Sequence, residues 1–265
     1  MYNKWTLAKK FLRHYLIAFS SQGHGIHSPF IFDFVKNVLN DDRDFYAFLP
    51  VEKLRLQLES DHTILLLDDL GAGSAVMKEN RRTIASIAKH SLKSRKLAQL
   101  LFRVVNYYQP VNIIELGTAL GLTTAYLAAA NGSGRVFTIE GATALANIAR
   151  KNFERLNLFN TKLSEGDFDA LLPGLLNDIA RVDLAFIDGN HRLEPTMRYF
   201  ELLLRHSNEN TILIFDDIHW SEEMETAWKK IQSHPSVTCT IDLFFLGLVF
   251  FRREFKSKQN FAIRF

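Results

Sequence analysis

The chain has 265 residues, of which 47% are apolar, and its formal net charge is only +3. This length and apolar content fit one large α/β domain with a smaller appendage, and the small net charge gives no reason to expect a nucleic-acid partner. The single cysteine excludes an intramolecular disulfide and a cysteine-based zinc cluster, so we expect a cytoplasmic protein. Apolar runs stay well below the roughly 18 residues that cross a bilayer, so no membrane partner is expected.

The first 40 residues predict helices. Apolar side chains recur at helical spacing from Trp5 to Phe19 with cations between them, which indicates an amphipathic helix. It could lie on a membrane surface or a partner, but we favour docking on the chain's own core. A glycine-punctuated loop with His24 and His27 follows, and its two histidines make an incomplete zinc set. The loop could fold over an active site or only form local hydrogen bonds; Ser28 then begins a helix reaching about Leu39.

Residues 41 to 108 predict a charged connection, helices and one apolar run. Helices are expected at Val51–Glu59 and throughout Arg82–Tyr108. Between them, Thr63–Leu67 leads into Asp68–Ser74, a glycine turn that is one candidate for a ligand cradle. We interpret it as a decoy because no apolar helical stripe follows it. The basic run within 78–96 is more often a solvated face than a surface for an anionic substrate.

Residues 112 to 130 predict a strand, a tight turn and a helix. A β-branched run carries Glu115, Gly117 and Gly121 permit the turn, and an alanine-rich helix follows at once. Gly117 can admit a ligand against bare backbone, and the start of the helix offers free N–H donors. Glu115 would repel a pyrophosphate at the strand tip but suits a ligand that carries an ammonium or sulfonium group.

From Val111 onward, strands and helices alternate, which predicts a Rossmann-like, doubly wound α/β sheet that is mainly parallel. The predicted strands are Asn112–Leu116, Arg135–Glu140, Thr161–Glu165, Leu184–Asp188 and Thr211–Asp216. The predicted helices between them are Thr123–Ala130, Ala142–Leu156, Phe168–Asp178 and Glu194–Arg205. Two β-rich runs separated by a turn at Leu246-Gly247 predict a carboxyl-terminal antiparallel hairpin, Val237–Phe244 with Leu248–Arg253. We therefore divide the chain into a helical extension or lid, 1–89, and a ligand-binding domain, 90–265.

Each predicted parallel strand carries an acid at its end, and open α/β sheets bind ligands outside the carboxyl ends of their strands. Glu140 can accept the hydroxyls of a ribose. Asp167 can accept from an exocyclic adenine amine, and Phe168 can stack on the base. Asp188 follows the fourth strand, and the pair Asp216-Asp217 ends the fifth. Any one of these acids could instead cap the helix that follows it.

The spacing Glu115-x-Gly117-x-x-x-Gly121 resembles the first motif of class I S-adenosylmethionine-dependent methyltransferases. The turns Phe186–His191 and Ile214–Trp220 resemble the metal-binding turns of the catechol O-methyltransferase-like group and of bacterial O-methyltransferases that act on sugar hydroxyls. This resemblance covers roughly residues 90–265. It implies S-adenosylmethionine as the cofactor, bound by residues of these motifs: Glu115, Gly117, Thr118, Gly121, Thr123, Glu140, Asp167, Phe168 and Asp188.

The same resemblance implies a magnesium ion held by Asp188, Asp216 and Asp217. Three carboxylate oxygens suit Mg²⁺ and poorly suit zinc or copper. The alternative is that only one or two of these acids face inward and the others cap helices. His191 stands at an offset where catechol-type relatives have a lysine and sugar-modifying relatives a histidine, and it is the predicted general base. If His191 only hydrogen-bonds the turn, His219 becomes the alternative base.

The predicted function is an S-adenosylmethionine-dependent, Mg²⁺-assisted O-methyltransferase of a small hydroxylated acceptor. A substrate oxygen would attack the sulfonium methyl group in line, helped by metal coordination that lowers the pKa of the hydroxyl. The alternatives are a metal-independent small-molecule methyltransferase and a cofactor-binding interaction module without catalysis. The 22 phenylalanines leave enough apolar surface for a homodimer.

Overall fold

The computed structural model describes residues 1–20, 27–67 and 81–265. Two predicted features lie outside these residues. They are the part of the glycine loop that holds His24, and the second glycine cradle at 68–74.

The described residues form helices and strands in the alternating order that the sequence predicts. The helices are α1 (Lys4–Ile17), α2 (Pro29–Phe34), α3 (Phe48–Glu59), α4 (Ile84–Ser91), α5 (Arg95–Tyr108), α6 (Leu122–Ala130), α7 (Thr143–Arg155), α8 (Phe168–Asp178), α9 (Leu193–Leu204) and α10 (Glu222–Ser233). The strands are β1 (Ile64–Leu66), β2 (Arg81–Thr83), β3 (Asn112–Leu116), β4 (Arg135–Glu140), β5 (Thr161–Glu165), β6 (Leu184–Ile187), β7 (Ile212–Asp216), β8 (Cys239–Asp242), β9 (Leu246–Phe250) and β10 (Gln259–Ala262). A π-helical turn, Val35–Leu39, continues α2.

The chain packs as two compact units, Asp42–Leu175 on the one hand and Met1–Asp41 with Leu176–Phe265 on the other. We call them the central unit and the terminal unit. The predicted extension, 1–89, contributes residues to both, and its role as a lid stays a prediction.

The central unit contains three parallel strands in the order β3, β4, β5. Ile113, Ile114 and Leu116 are fully buried, which is the pattern of a parallel strand covered on both faces. The expectation that Arg82–Tyr108 is helical throughout is wrong, because β2 extends to Thr83 and α4 and α5 are separate helices. Ser94 begins a new helix, because its hydroxyl accepts from the backbone N–H of Leu97 and so caps α5.

The terminal unit contains strands in the order β10, β8, β9, β7, β6. β6 and β7 are parallel, whereas β9 runs antiparallel to both β7 and β8. The predicted fold class, an α/β fold with a mainly parallel sheet and an antiparallel carboxyl-terminal hairpin, is therefore confirmed. The sequence did not predict α10 or β10, although Ser221 followed by three acids is a capping signal that could have revealed α10.

The predicted hairpin turn at Leu246-Gly247 is wrong. Gly247 lies inside β9, where an added Cβ would come within 2.7 Å of the Trp228 ring. Glycine at this position therefore lets the Trp228 side chain approach the strand closely, and it does not form a turn. The turn is made by residues 243–245, and Phe244 takes a φ of 72° there while its N–H donates to the Asp242 carboxylate at 2.8 Å.

Helix α1 packs on its own unit, but not through its apolar stripe. All six apolar positions that defined the predicted stripe are exposed: Trp5, Ala8, Leu12, Tyr15, Leu16 and Phe19. The opposite side holds the helix, because Lys10 pairs with Glu225 at 2.9 Å and His14 is buried. Among the described helices, none has both the length and the apolarity to cross a bilayer.

Candidate functional site

The predicted ligand cradle lies in the central unit, between β3 and α6. Gly117 leaves the strand with a φ of 102°, and its N–H still donates to the carbonyl of Ile139 on the neighbouring strand at 3.0 Å. Ala119 adds a second left-handed residue, with a φ of 48°. The turn is therefore built from backbone conformations that glycine adopts readily and that other residues adopt rarely.

Gly121 ends this turn and caps α6 with a φ of 81°. An added Cβ would lie 2.7 Å from the Phe153 ring and 3.1 Å from the Ala149 methyl group, both on α7. The second glycine of the motif thus lets α7 approach the start of α6. A contact between Gly121 and a cofactor stays a prediction.

Glu115 lies inside the central unit rather than at an exposed strand tip. Its side chain is fully buried, and one carboxylate oxygen accepts from the hydroxyls of Thr124 and Thr138, the latter at 2.6 Å. Thr118 joins this network, with its hydroxyl 2.5 Å from that of Thr138. A buried carboxylate is tolerated only with such donors. The sequence identified Glu115 as the negative charge beside the turn. It did not show that the side chain is buried or that threonines donate to it.

Glu140 ends β4 and connects two turns. One oxygen accepts from the backbone N–H of Ala119 in the cradle at 2.7 Å, and the other from Ala142 before α7 at 3.0 Å. The predicted ribose acceptor is therefore held by the cradle turn itself. Thr123, also predicted to contact the cofactor, is buried in the first turn of α6.

Asp167 and Phe168 stand at the start of α8. One oxygen of the exposed Asp167 accepts from the backbone N–H groups of Asp169 at 2.8 Å and Ala170 at 3.3 Å. Asp167 thus acts as a helix cap, the alternative that applies to any strand-end acid. The predicted contacts of Asp167 and Phe168 with an adenine stay predictions.

In the terminal unit, β6 and β7 bring a second set of predicted residues together. The parallel register places Ile187 beside Phe215, so Asp188 and Asp216 follow side by side. Potential ligand atoms of Asp188, His191 and Asp216 all lie within 4.8 Å of one another. His191 Nε2 is 3.5 Å from Asp188 Oδ1, and Asp216 is almost wholly buried. Two carboxylates and an imidazole in this proximity are a fitting donor set for a divalent cation.

Asp217 does not belong to this group, which departs from the predicted trio of acids. In the part of the chain that the structure describes, the third member of the group is His191. Asp217 begins the turn after β7 with a φ of 53°, and its N–H donates to the carbonyl of Phe245 at 2.8 Å. Consecutive residues leaving a strand point in different directions, so the adjacent acids Asp216 and Asp217 diverge.

Comparison with known proteins shows what these two sets of residues belong to. Residues 114–218, which include both sets, match the family model of a methyltransferase domain. This stretch of the chain is thus similar to a methyltransferase domain. A catechol O-methyltransferase from Niastella koreensis is 33% identical to it over 126 residues, which cover 46% of this chain and 55% of the relative. The chain thus spans about half the length of the curated relative it matches.

Solved structures share the fold of this chain. An O-methyltransferase from Bacillus cereus in complex with SAH superposes with a TM-score of 0.55 at 22% identity, covering 82% of this chain and 96% of that one. An SAH-bound methyltransferase from Podospora anserina gives a TM-score of 0.58 at 13% identity, and the match covers 95% of this chain and 97% of that one. The predicted resemblance to class I methyltransferases of the catechol O-methyltransferase-like group is confirmed.

Close to Asp216 of β7, the terminal unit contains a partly buried ionic network that the sequence did not predict. His219 Nε2 lies 2.8 Å from Asp242 and Nδ1 lies 3.2 Å from Glu225, while the Trp228 indole donates to Asp242 at 3.2 Å. Burial by itself would lower the pKa of His219, but the bonds to Asp242 and Glu225 outweigh burial and raise it. Each ring nitrogen thus faces a carboxylate oxygen, an arrangement that favours the protonated imidazolium.

His14 of α1 borders the same network. Ligand atoms of His14, His219 and Asp242 lie within 4.8 Å of one another, so they form a second group that could in principle hold a metal. One observation favours an ion network instead: Asp242 Oδ2 already bonds to His219 Nε2 and accepts from the Trp228 indole. No sequence signal joins these positions, since they come from distant parts of the chain.

Proposed function

We propose that this protein transfers the methyl group of S-adenosylmethionine to a hydroxyl oxygen of a small acceptor, with a divalent cation such as Mg²⁺ assisting. The observation that carries the proposal is the group formed by Asp188, His191 and Asp216 within a methyltransferase domain. The relative from Niastella koreensis, a catechol O-methyltransferase, supports a hydroxylated acceptor. When bound, S-adenosylmethionine supplies an electrophilic methyl group on its sulfonium sulfur.

The central unit would bind the cofactor. Gly117 allows the ligand to meet bare backbone, Glu140 accepts the ribose hydroxyls, and Asp167 with Phe168 receives the adenine. Glu115 supplies a buried negative charge that favours a cationic ligand over a pyrophosphate. The turn would be shaped by Thr118, Gly121 and Thr123. The contact of Asp188 with the cofactor, which the resemblance implies, remains part of the proposal.

The terminal unit would bind the cation and accept the proton. Asp188 and Asp216 repel each other at this distance, and a cation bound between them relieves the repulsion. When bound, the cation lowers the pKa of an acceptor hydroxyl and fixes its orientation. The third ligand is either Asp217, as the family resemblance implies, or His191, as its proximity suggests; His191 can act as the base only in the first case.

His191 is the proposed general base, and its geometry favours it over His219. An imidazole that donates from both nitrogens has no lone pair with which to accept a proton, and both nitrogens of His219 face carboxylates. His191 is partly exposed, and Nε2 lies 3.5 Å from Asp188 Oδ1. Its other nitrogen can therefore serve a substrate.

Calorimetry with the purified chain tests the cofactor. S-adenosylmethionine and its demethylated product should bind at micromolar concentrations, whereas NAD should not bind. Gly117→Val should abolish binding, because a branched side chain would occupy the approach of the ligand. Since a side chain at this φ is also strained, the nearly isosteric Glu140→Gln gives a second measurement, with an expected loss of roughly 10–100-fold from weakened charged hydrogen bonds. If both variants fold and bind S-adenosylmethionine with unchanged affinity, the turn between β3 and α6 is not the cofactor site.

Chelation tests the cation. With a panel of catechols and sugar derivatives, methyl transfer should stop in a chelator and return with Mg²⁺, while cofactor affinity changes little. Asp216→Asn should weaken cation binding more than Asp217→Asn if the spatial group is correct. Activity that survives exhaustive chelation would establish metal-independent transfer. Cofactor binding without transfer to any acceptor would favour an interaction module.

A further inference from the structure

The outer face of α1, formed by Trp5, Ala8, Leu12, Tyr15 and Leu16, lies open to solvent. The exposed fraction is 79% for Trp5, 59% for Leu12 and 68% for Leu16. Their spacing of three and four residues places them in one continuous stripe along the helix. Singly exposed apolar residues are ordinary, but a contiguous aromatic and aliphatic stripe marks a surface that binds something.

The remainder of the terminal unit holds this face outward. On the opposite side of α1, His14 is buried and Lys10 binds both oxygens of Glu225 at 2.9 and 3.0 Å. Phe11 packs edge-on against Phe244 with ring centroids 5.1 Å apart. Rotating α1 to bury its stripe would break these contacts and expose a histidine and an ion pair instead. The outward direction is thus part of the fold.

Cations border the stripe on both edges. Lys4 lies along one edge, and Lys9 and Arg13 along the other; all three are exposed. Arg264 adds a further cation, with its guanidinium 4.8 Å above the Tyr15 ring. No aspartate or glutamate occurs in Lys4–Ile17. An apolar stripe between two basic edges is the pattern of a helix that lies in the plane of a membrane interface.

We propose that the outer face of α1 attaches this protein to an anionic lipid surface. The apolar stripe enters the boundary between headgroups and acyl chains, and the basic edges meet lipid phosphates. Trp5 and Tyr15 suit this position because their rings combine apolar area with a polar group. From the sequence we expect no membrane partner and favour docking of this helix on the chain's own core, whereas the proposal adopts the alternative of a membrane surface. It is independent of methyl transfer.

A second copy of the chain is a poorer occupant of the outer face. In a two-fold interface the same patch meets itself, so Lys4, Lys9 and Arg13 would face their own copies with no acid on the helix to offset them. An acidic protein groove would match the charge. However, cations on both edges of a wide stripe fit a planar anionic surface better than a groove with apolar walls.

Co-sedimentation of the full chain with vesicles tests the proposal. Vesicles of phosphatidylcholine with phosphatidylglycerol should bind the protein at least about tenfold more tightly than vesicles of phosphatidylcholine alone, and added salt should weaken the binding. The double variant Leu12→Ser/Leu16→Ser should lose binding, and so should Lys9→Glu/Arg13→Glu. The matched control is Leu49→Ser/Leu56→Ser, which removes two leucines of α3 with exposed fractions of 79% and 65% and should bind as the wild type does.

Tryptophan fluorescence locates the contact. Anionic vesicles should shift the emission to shorter wavelength, and Trp5→Phe should remove the shift while leaving most of the binding, because Trp228 is buried and Trp220 half-buried. Four results would overturn the proposal: no sedimentation with anionic vesicles, equal affinity for neutral ones, unchanged binding by Leu12→Ser/Leu16→Ser, or a shift that persists in Trp5→Phe. A dimer that Leu12→Ser/Leu16→Ser dissociates, without vesicle binding, would assign the face to a second copy.

Discussion

Two histidines near the acids of β6 and β7 differ in what their ring nitrogens contact. His219 lies between Asp242 and Glu225, so each of its ring nitrogens faces a carboxylate. His191 Nε2 lies 3.5 Å from Asp188, with Asp216 in the same group, and the side chain is partly exposed. Residue type and position along the chain made both histidines candidates for the general base. Only the contacts of their ring nitrogens distinguish the two.

His191→Ala should therefore reduce turnover by roughly 10²–10⁴-fold, the usual effect of removing a general base, while S-adenosylmethionine affinity stays unchanged. Steady-state kinetics and calorimetry measure the two quantities. His90→Ala, which removes an exposed histidine of α4, is the control and should be neutral. A loss below about tenfold would argue against the base role. A matching loss of Mg²⁺ affinity would make His191 a ligand instead.

At the scale of elements, the network around Glu225 joins α1 and α10 to the turn after β7. Glu225 accepts from Tyr2 and Lys10 of the amino-terminal segment and lies 3.2 Å from His219. Burial would raise the pKa of Glu225, but Lys10 and His219 lower it overall. A carboxyl group whose pKa is lower in the folded state stabilises the protein above its unfolded pKa, and this stabilisation is lost as pH falls through the folded value.

We expect Glu225→Gln to lower the free energy of unfolding by about 1–3 kcal/mol at pH 7, because charged hydrogen bonds are lost. The difference from wild type should shrink as the pH falls below about 4, the ordinary pKa of an unfolded glutamate. Urea unfolding across this range measures both effects. Glu222→Gln, an exposed acid in the first turn of the same helix, should change stability by less than about 0.5 kcal/mol. A difference independent of pH would show that charge is not the cause.

Strand β9 depends on the absence of a side chain at Gly247. An added Cβ would meet two atoms of the Trp228 ring at 2.7 Å, so Gly247→Ala should destabilise the protein by about 1–3 kcal/mol through overpacking. Gly174→Ala in α8, where nothing lies within 4 Å, should instead be neutral or stabilising. Thermal unfolding compares the two, and equal effects would mean that Trp228 moves aside freely.

At the scale of the whole molecule, binding of the cofactor product should raise stability in proportion to its occupancy. S-adenosylhomocysteine at 100 times its dissociation constant should add about 2.7 kcal/mol to the free energy of unfolding, whereas NAD should add nothing. The free energy of unfolding of the Gly117→Val variant should not change with either ligand. Chemical denaturation with and without ligand measures the change. Stabilisation of wild type and Gly117→Val alike would place the ligand outside the cradle.

The sequence by itself determined the alternating strands and helices, the glycine turn at Gly117 and the resemblance to methyltransferases. These rest on local signals, because hydrophobic period and glycine position act within a few residues. Predicted strands such as Asn112–Leu116 and Arg135–Glu140 match the observed bounds for that reason. The acids after β6 and β7 were also found, since the carboxyl ends of parallel strands are a fixed feature of such sheets.

Only the tertiary structure decided which side chains meet. Glu115 is buried among threonines, Gly247 makes room for Trp228, and His191 rather than Asp217 joins Asp188 and Asp216. The stripe of α1 faces outward because Lys10 and Phe11 contact Glu225 and Phe244, both more than 200 residues away. Periodicity shows that a helix has two faces, but the partner that each face meets is set by contacts between distant segments, which leave no local pattern in the chain.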